Sequence, residues 1–266
     1  MSSAEYRHQY ILDKIDHRGS VNVVELAENF DVSEMTIRRD LRELEKLGLI
    51  RRFHGGAVNS RGRAYEPPLK TRSLENQKQK EIIGRYAAKM IGEGDSVSLD
   101  VGSTVFEIAK NLGQTKNITV ITPSLQIAQL FMDRSDVRLI MPGGIVHPGE
   151  YSLIGEITRR NLEQFFVDRL FIAAGAIDIN AGVTEFNMDD ALIKQALIKS
   201  AKEVILVADS TKFNKTSFAF VTHLSRIDQV ITDETLPDEF SEFFKQNGIS
   251  VHIAGGDFEY NNQDDY

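Results

Sequence analysis

The segment from Ser33 to Arg52, SEMTIRRDLRELEKLGLIRR, constrains this chain more than any other. At 100° per residue, its apolar side chains gather on one side of a helix and its arginines on the other. Ser33 is a favourable N-cap residue, and Gly48 stands where a helix commonly ends in a left-handed residue. The sequence therefore predicts an amphipathic helix with a cationic outer face. Its packed face is predicted to consist of Ile37, Leu41, Leu44 and Leu47.

Two short helices are predicted upstream, over residues 6–16 and 22–30, and only two residues separate the second from Ser33. This spacing is typical of a helix-turn-helix. Downstream, apolar runs flank Gly55 and Gly56, a dipeptide that permits the positive φ angles of a tight hairpin. An ordinary solvated helix face is the alternative interpretation. The neighbouring helices and the hairpin, or wing, favour a DNA-binding winged helix-turn-helix.

The exposed side of this unit supplies the candidate DNA contacts. Residues on the third helix are expected to approach base edges or phosphates in the major groove, and the wing is expected to contact the backbone. Surface exposure without any contact is the alternative for His54. The candidates are Ser33, Met35, Thr36, Arg38, Arg39, Arg42, Arg51, Arg52 and His54.

Composition limits the class of protein. The chain has 266 residues, 41% hydrophobic residues and no Cys, so it is long enough for one or two globular domains without disulfides. No apolar run approaches the roughly 18 residues of a membrane helix. The N-terminus has no apolar segment of the secretory type. We therefore expect a soluble cytoplasmic protein without a membrane partner.

Charge is distributed unevenly along the chain, whose net charge is −8. Residues 1–72 hold 13 Lys and Arg against 11 Asp and Glu, which leaves 18 against 28 for the remainder. Phosphate contacts require local cations rather than a basic whole molecule, and an acidic body limits non-specific binding to nucleic acid. The acidic total is therefore compatible with DNA binding at the N-terminal end.

Domain boundaries follow from composition and periodicity. Residues 59–72 contain Gly62 and the pair Pro67-Pro68 but no apolar periodicity, which predicts an interdomain linker. The predicted domains are then a DNA-binding domain over 1–58 and a second domain over 73–257, which begins with a helix over 73–90. The acidic tail, 258–266, is expected to be disordered.

The second domain alternates β-branched runs with helical ones, which predicts a mostly parallel sheet covered on both faces, an α/β fold. Sheets of this kind bind ligands in the crevice at the carboxyl ends of their strands. The residues that follow each strand are therefore the informative ones. The predicted strands lie in residues 96–101, 117–122, 137–143, 169–177, 203–209, 229–233 and 250–255.

Gly102, Ser103 and Thr104 follow the first of these strands and open a helix. Backbone N–H groups, two hydroxyls and the positive end of the helix dipole would form an anion site there. An ordinary strand-to-helix turn is an equally good interpretation of these three residues alone. Ser124, after the second strand, is better explained as a plain N-cap. Gly143-Gly144 allow either close approach to a ligand or a turn.

Two further places carry polar residues. Asp209, Ser210 and Lys212 follow a buried strand, and Lys212 could supply a point charge for phosphate, although a single loop lysine is usually a surface residue. Residues 182–194 are predicted to begin with a turn and continue as a helix. They offer Glu185, Asn187, Asp190 and Lys194, which suit sugar hydroxyls and equally suit a solvated helix start.

The run TIRRDL, followed by LGLIRRFHGGA, resembles the signature of the DeoR family of bacterial transcriptional regulators, and the likeness extends over nearly the whole chain. The resemblance implies a C-terminal sensor with the fold of sugar-phosphate isomerases, in which a Gly-Ser-Thr loop holds a phosphate. Pro123, the run 174–176 and Asp190 depart from the family pattern, which leaves the identity of the ligand open. The matching positions are Asp100, Gly102, Ser103, Thr104, Gly143, Gly144, Gly175, Asp190, Lys194, Asp209, Ser210 and Lys212.

Three functions compete. A sugar-phosphate isomerase could use Asp100, Asp190 and Lys212, but their spacing does not require catalysis, and a DNA-reading module serves a sensor better than an enzyme. A metal-dependent regulator lacks support because the six His are scattered and Cys is absent. The family resemblance implies a repressor of carbohydrate catabolism genes, and we expect it to use no metal or cofactor. Its expected partners are double-stranded operator DNA, a phosphorylated sugar and further copies of itself in a homodimer or homotetramer.

Overall fold

The computed structural model describes residues 3–18, 20–59 and 62–255, and the chain divides between Tyr65 and Glu66 into two compact units. We call them the N-terminal unit and the C-terminal unit. Residues 66–72, assigned to the linker from the sequence, belong to the C-terminal unit because Pro67 and Pro68 lead directly into a helix. Residues 60 and 61 of the predicted linker and the predicted tail over 258–266 lie outside the described residues.

The described residues of the N-terminal unit form three helices and a three-stranded antiparallel sheet with the order β1-β3-β2. The first strand was not predicted, because three residues are too short to show an alternation. The elements are α1 (Ser3–Arg18), β1 (Ser20–Asn22), α2 (Val23–Phe30), α3 (Glu34–Lys46), β2 (Ile50–Phe53) and β3 (Gly56–Asn59).

Helix α3 begins and ends as its sequence predicts. The Ser33 hydroxyl accepts a hydrogen bond from the Thr36 backbone N–H, and Gly48 has a φ of +72° just beyond the last turn. Ile37, Leu41 and Leu44 are buried in the core of the unit. The prediction was wrong for Leu47, which is 69% exposed, because the helix stops at Lys46 and Leu47 no longer continues its apolar face.

The wing turns at His54 and Gly55, and Phe53 pairs with Gly56 across the turn. Gly55 uses the left-handed region, with a φ of +97°. Gly56 is required for a different reason. A Cβ at this position would lie 2.0 Å from the Val21 carbonyl oxygen of the neighbouring strand.

The C-terminal unit contains seven helices among its described residues, and two short 3₁₀ turns at Ser210–Lys212 and Leu224–Arg226. No helix that the structure describes is long and apolar enough to cross a membrane. The helices are α4 (Leu69–Leu74), α5 (Gln77–Ala88), α6 (Ser103–Lys110), α7 (Leu125–Phe131), α8 (Glu156–Leu162), α9 (Met188–Lys199) and α10 (Asp238–Gln246).

Seven parallel strands form the main sheet, in the order β15-β14-β12-β9-β4-β5-β6. All seven predicted runs contain or overlap one of these strands, so the predicted α/β fold is confirmed. Buried apolar residues cover both faces of the sheet in two clusters. The strands are β4 (Ser96–Leu99), β5 (Ile118–Ile121), β6 (Val137–Ile140), β9 (Val167–Ile172), β12 (Ala201–Val207), β14 (Gln229–Thr232) and β15 (Ser250–Ile253).

Two smaller antiparallel groups were not predicted. The first is the hairpin of β7 (Ile145–His147) and β8 (Ser152–Ile154). The second is a three-stranded sheet of β10 (Ala176–Asp178), β11 (Gly182–Glu185) and β13 (Ala219–Thr222). The predicted turn that begins at residue 182 is therefore a strand.

The predicted helix over 73–90 is broken. Helix α4 ends at Leu74, and Asn76 adopts a left-handed conformation with a φ of +51° before α5 begins. The Asn76 amide donates hydrogen bonds to Asp209 Oδ1 and Thr211 Oγ1, at 3.1 Å each. These contacts with a distant loop fix the break, which local periodicity could not reveal.

Replacing Gly56 by Ala should destabilise the N-terminal unit by about 1–3 kcal/mol, because the added methyl group cannot fit against the Val21 carbonyl. Gly62→Ala is the matched control, since a Cβ there meets no atom within 4 Å. Urea unfolding of the full chain measures both variants. Equal stability of the two variants would contradict the close approach of β1 and β3.

Candidate functional site

The candidate DNA contacts occupy α3 and the wing of the N-terminal unit. Met35, Arg38, Arg39 and Arg42 are exposed and recur at the three- and four-residue spacing of one helix face. Arg51 and Arg52 extend from β2, and His54 lies in the turn. Ser33 and Thr36 sit at the start of α3, where their hydroxyls are 3.0 Å apart.

Glutamates hold three of these arginines in the described structure. Arg38 Nη2 lies 2.9 Å from Glu34 Oε2, and Arg39 Nε lies 3.3 Å from Glu43 Oε1. Arg52 is bound more firmly, because Glu45 accepts from both its backbone N–H at 2.9 Å and its Nε at 2.7 Å. This contact ties the wing to the last turn of α3 and lowers the pKa of Glu45.

One group in the described part of the N-terminal unit has side chains of the kinds that bind metals, namely His8, Asp40 and Glu43. Asp40 already accepts two hydrogen bonds from Arg7, from Nε at 2.7 Å and from Nη2 at 3.2 Å. His8 Nε2 lies 3.3 Å from Asp40 Oδ1. The arrangement is explained as a polar link between α1 and α3.

In the C-terminal unit, the strand order reverses between β4 and β9. The chain continues from β4 to β5 and β6 in one direction, and from β9 to β12, β14 and β15 in the other. The loops that follow β4 and β9 must therefore separate, which opens a crevice at the carboxyl ends of the central strands. Two adjoining clefts lie there, and they share the residues Arg72, Val101 and Glu185.

The first cleft, which we call the loop cleft, is open to solvent. It brings together the loops after β4, β9 and β12, the three central strands of the sheet. Gly102 is the N-cap of α6 and has a φ of +150°; a Cβ there would lie 2.8 Å from the Ala173 Cβ. The cleft is lined by Arg72, Val101, Gly102, Ser103, Thr104, Ala173, Ala174, Glu185, Val207, Ala208 and Lys212.

Lys212 reaches the loop cleft from the 3₁₀ turn after β12. Asp209 caps that turn through a hydrogen bond from the Thr211 backbone N–H to its Oδ1, at 3.2 Å. The buried Lys80 lies near the same region, where burial lowers its pKa to about 8 and the charge of Lys212 acts in the same direction. Its ammonium donates to the backbone carbonyls of Arg72 and Glu75.

The second cleft, which we call the acidic cleft, is also open to solvent. Carboxylates from α9, β11, the β7–β8 hairpin, the loop after β4 and the segment before α4 converge on it. It is lined by Glu66, Arg72, Asp100, Val101, Glu150, Glu185, Asp190, Ile193 and Lys194.

Lys194 and Asp100 form a buried ion pair at the base of the acidic cleft. Their side chains are 4% and 1% exposed, and the Lys194 ammonium donates to Asp100 Oδ2 and, at 3.1 Å, to the Ala173 carbonyl. Glu185 Oε2 lies 3.4 Å from the same ammonium. Burial by itself would lower the pKa of Lys194, but the charges of Asp100 and Glu185 outweigh it and raise the pKa.

Arg72 crosses the acidic cleft from α4. Its Nη2 donates to Glu66 Oε1 at 2.9 Å and to Glu150 Oε2, and its Nε donates to the Pro67 carbonyl at 2.9 Å. Burial raises the pKa of Glu66 to about 8, and nearby carboxylates, including Glu150, add to the shift while Arg72 opposes it.

Six of the predicted effector residues do not line either cleft. Ser124 caps α7, accepting from the Ile127 N–H at 3.3 Å, and the Ser210 hydroxyl pairs with Thr235 Oγ1 at 2.6 Å. The glycines serve packing instead. A Cβ on Gly144 would meet Thr158 Oγ1 at 1.9 Å, and one on Gly175 would meet Glu185 Oε1 at 2.6 Å. Gly143, with a φ of +69°, lies in the loop before β7.

Asp209, the sixth of these residues, is 1% exposed and also does not line either cleft. The remaining predicted residues do line the clefts. They are Asp100, Gly102, Ser103, Thr104, Asp190, Lys194 and Lys212.

Sequence reasoning missed Glu66, Arg72 and Glu150 as lining residues. Glu66 and Arg72 lie in the predicted linker, where paired prolines and missing periodicity concealed a folded segment. Glu150 lies in an unpredicted hairpin and is a single acidic residue without a motif. Only the tertiary fold brings the three together.

A winged helix-turn-helix joined in one chain to a parallel-sheet unit with polar clefts at its strand ends is the arrangement of a DNA-binding transcriptional regulator. Comparison with protein families agrees. The model of the DeoR-like helix-turn-helix domain matches residues 7–61, and that of the DeoR C terminal sensor domain matches residues 75–234. The chain belongs to the DeoR family of transcriptional regulators.

Individual relatives cover nearly the whole chain. The glycerol-3-phosphate regulon repressor of Escherichia coli (strain K12) is 31% identical over 248 residues, which cover 93% of this chain and 98% of that protein. The transcriptional repressor AccR of Agrobacterium fabrum is 32% identical over 251 residues, with coverages of 91% and 97%. Among solved structures, the full-length sorbitol operon regulator SorC from Klebsiella pneumoniae aligns with a TM-score of 0.41 and 11% identity, over 91% of this chain and 99% of that chain.

Replacing Lys194 by Met should destabilise the C-terminal unit by about 3–5 kcal/mol, because Asp100 and Glu185 would remain buried without their cation. Lys199→Met on the same helix is the control. Its side chain is 68% exposed, so its replacement should cost less than about 1 kcal/mol. Denaturant unfolding of both variants tests this, and a Lys194→Met protein as stable as the control would contradict the buried pair.

Proposed function

We propose that this protein represses carbohydrate catabolism genes by binding operator DNA through its N-terminal unit, and that a phosphorylated sugar bound in its C-terminal unit releases it. DNA binding implies action in the cytoplasm. The observation that carries the proposal is the loop cleft, where Gly102, the start of α6 and Lys212 meet at the reversal of strand order. The name of one relative, the glycerol-3-phosphate regulon repressor of Escherichia coli, supports a small phosphate ester as the kind of effector.

The loop cleft has the chemistry of a phosphate site. Backbone N–H groups at the start of α6 face an anion with the positive end of the helix dipole behind them. Ser103 and Thr104 add hydroxyl donors, and Lys212 adds a charge-assisted hydrogen bond. Arg72 lines both clefts, so its guanidinium can contact either the phosphate or the sugar. The adjoining acidic cleft then receives the hydroxyl groups of the sugar.

Operator recognition by this fold requires more than one copy of the chain. A single α3 reads only a few base pairs, and two-fold protein symmetry pairs with a palindromic or repeated operator. We therefore propose a homodimer or homotetramer. The DNA contacts would come from the exposed face of α3 and from the wing.

We further propose that the protein is not an enzyme. An isomerase would need an available carboxylate base beside its substrate. Asp100 is held by Lys194 and by the Ala173 N–H at 3.0 Å, and Asp190 Oδ2 accepts from the Asn187 amide at 2.6 Å. These contacts favour binding over proton transfer at the two carboxylates that the sequence offered as bases. Steady conversion of a sugar phosphate that disappears in Asp190→Asn would reverse this conclusion.

Lys212→Met should weaken effector-induced release of operator DNA by about 10- to 100-fold, because it removes a charge-assisted hydrogen bond to phosphate. Operator affinity without effector should not change, since the substitution lies in the other unit. Lys202→Met, at an exposed position near the start of β12, is the control for loss of charge. Fluorescence anisotropy of labelled operator over a panel of sugar phosphates measures all three proteins.

The unphosphorylated sugars form the second arm of that experiment and should fail to release the operator. Release by a free sugar at the same concentration as by its phosphate ester would show that the loop cleft does not hold a phosphate. Unchanged effector sensitivity of Lys212→Met would remove this residue from the site.

Arg38→Ala should cost about 1–3 kcal/mol of operator binding if Arg38 makes a bidentate base contact, and it should relax the preference at that base. Arg51→Ala should instead weaken binding to all sequences alike. It should also reduce the slope of log binding constant against log salt concentration by about one. Arg160→Ala, whose side chain is 71% exposed in the C-terminal unit, is the control for charge. Binding of operator variants at several salt concentrations distinguishes these three protein variants. Unchanged operator affinity of Arg38→Ala would exclude Arg38 from base reading.

A further inference from the structure

Carboxylates outnumber cations in the acidic cleft. Two cationic side chains line it, from Arg72 and Lys194. Against them stand the carboxyl groups of Glu66, Asp100, Glu150, Glu185 and Asp190. The cleft therefore has acceptors in excess before any ligand binds.

Each of the two cationic side chains already contacts two of these five carboxyl groups. Arg72 binds Glu66 and Glu150, whereas Lys194 binds Asp100 and lies 3.4 Å from Glu185. Each cation thus serves two carboxylates. Asp190 contacts neither of them directly; its Oδ2 accepts from the Asn187 amide and lies 3.3 Å from His147 Nδ1.

Glu150 supplies an acceptor that the described part of the protein leaves without a partner. The residue is only 6% exposed and lines the acidic cleft. Its Oε2 accepts from Arg72, but within the described ranges no donor reaches its Oε1. This oxygen is open to the cleft rather than buried, so a ligand that brings a donor to it can replace water as its hydrogen-bond partner.

The electrostatics of the acidic cleft also favour a ligand that brings hydrogen-bond donors rather than negative charge. Burial raises the pKa of Glu66 to about 8, with further contributions from Glu150, Glu185 and Asp190. A carboxyl group that holds its proton near neutral pH can donate to a hydroxyl oxygen while its neighbours accept. A second negative charge brought into this space would be repelled by the same neighbours.

The loop cleft has the opposite character. It offers Lys212, the start of α6 and two hydroxyl groups, and it meets the acidic cleft at Arg72 and Glu185. A ligand that occupies both clefts therefore passes from an anion-binding end to an end rich in acceptors. A molecule with a phosphate at one end and donors at the other fits this polarity.

We propose that the acidic cleft selects effectors by the charge of the end opposite the phosphate. It prefers an ammonium group, accepts hydroxyl groups and rejects a carboxylate or a second phosphate. The ligand class is therefore amino-sugar and polyol monophosphates rather than phosphorylated sugar acids or bisphosphates. This inference rests on the proposed function, because the phosphate must occupy the loop cleft for the other end to reach Glu150 and Asp190.

Isothermal titration calorimetry of the full chain with three six-carbon phosphate esters measures this predicted order of affinities directly. These esters share the phosphate on C6 and differ at C1 and C2: glucosamine 6-phosphate carries an amine on C2, glucose 6-phosphate a hydroxyl on C2, and 6-phosphogluconate a carboxylate at C1. Glycerol 3-phosphate and 3-phosphoglycerate repeat the last comparison on a three-carbon chain. At about pH 6.5, where an ordinary amine is protonated, we expect each step from amine to hydroxyl to carboxylate to weaken binding about tenfold or more.

The double variant Glu150→Gln, Asp190→Asn should reduce the differences in affinity between the esters. The amine ester should bind more weakly than it binds the wild type, and the carboxylate ester more tightly. Asp189→Asn, at the exposed neighbouring position on α9, is the matched control and should keep the wild-type order. Denaturant unfolding of each variant reports that its C-terminal unit is folded. Lys212→Met should weaken every ester alike and leave the order intact.

The outcomes separate the two proposals. Equal affinities, or tightest binding of a carboxylate ester, would overturn the inference about the acidic cleft while release of operator by phosphate esters still supported the proposed function. An unchanged order in the double variant would also overturn it. Failure of every ester to bind the wild-type protein would overturn the proposed function and this inference with it.

Discussion

The reversal of strand order between β4 and β9 is the constraint on which the rest of the C-terminal unit depends. The chain continues from β4 toward one edge of the sheet and from β9 toward the other edge. The loops that follow β4 and β9 therefore diverge and leave a crevice between them. Because β4, β9 and β12 are neighbours, the loops after all three reach the same opening. The position of both clefts therefore follows from topology, and the side chains determine only what each cleft can bind.

The buried pair of Lys194 and Asp100 links that opening to α9. The carboxylate follows β4 and also accepts from the Ala173 N–H after β9, so one residue holds the two sides of the reversal together. Charges removed from water in this way are stable only when paired and hydrogen-bonded. The pair thus fixes the floor of the acidic cleft, on which Glu185 and Asp190 are placed by β11 and α9.

The sequence predicted what depends on local pattern. The helix-turn-helix, the cap at Ser33, the hairpin glycine at position 55 and the seven central strands all follow from periodicity and from residues with particular backbone preferences. Lys212 required the family resemblance in addition, because a single loop lysine is most often a surface residue. Its place beside Gly102 is a consequence of strand order.

The rest depends on contacts between distant residues. Asn76 breaks a predicted helix because its amide reaches Asp209, which lies 133 positions away in the chain. Arg72 meets Glu150 across 78 positions, so the acidic cleft takes part of its wall from a segment that looks like a linker. Three-residue strands such as β1 and β7 exist through their pairing partners and carry no periodic signal of their own.

The central claim, that the loop cleft binds a phosphate group, is tested most directly by locating a bound oxyanion. Crystals of the full chain grown with tungstate, an anion similar in shape to phosphate, would reveal its position by anomalous scattering. The account predicts a peak in the loop cleft, within about 3 Å of backbone nitrogens at the start of α6 and of Lys212 Nζ. A well-occupied peak elsewhere in the C-terminal unit, with the loop cleft empty, would contradict it.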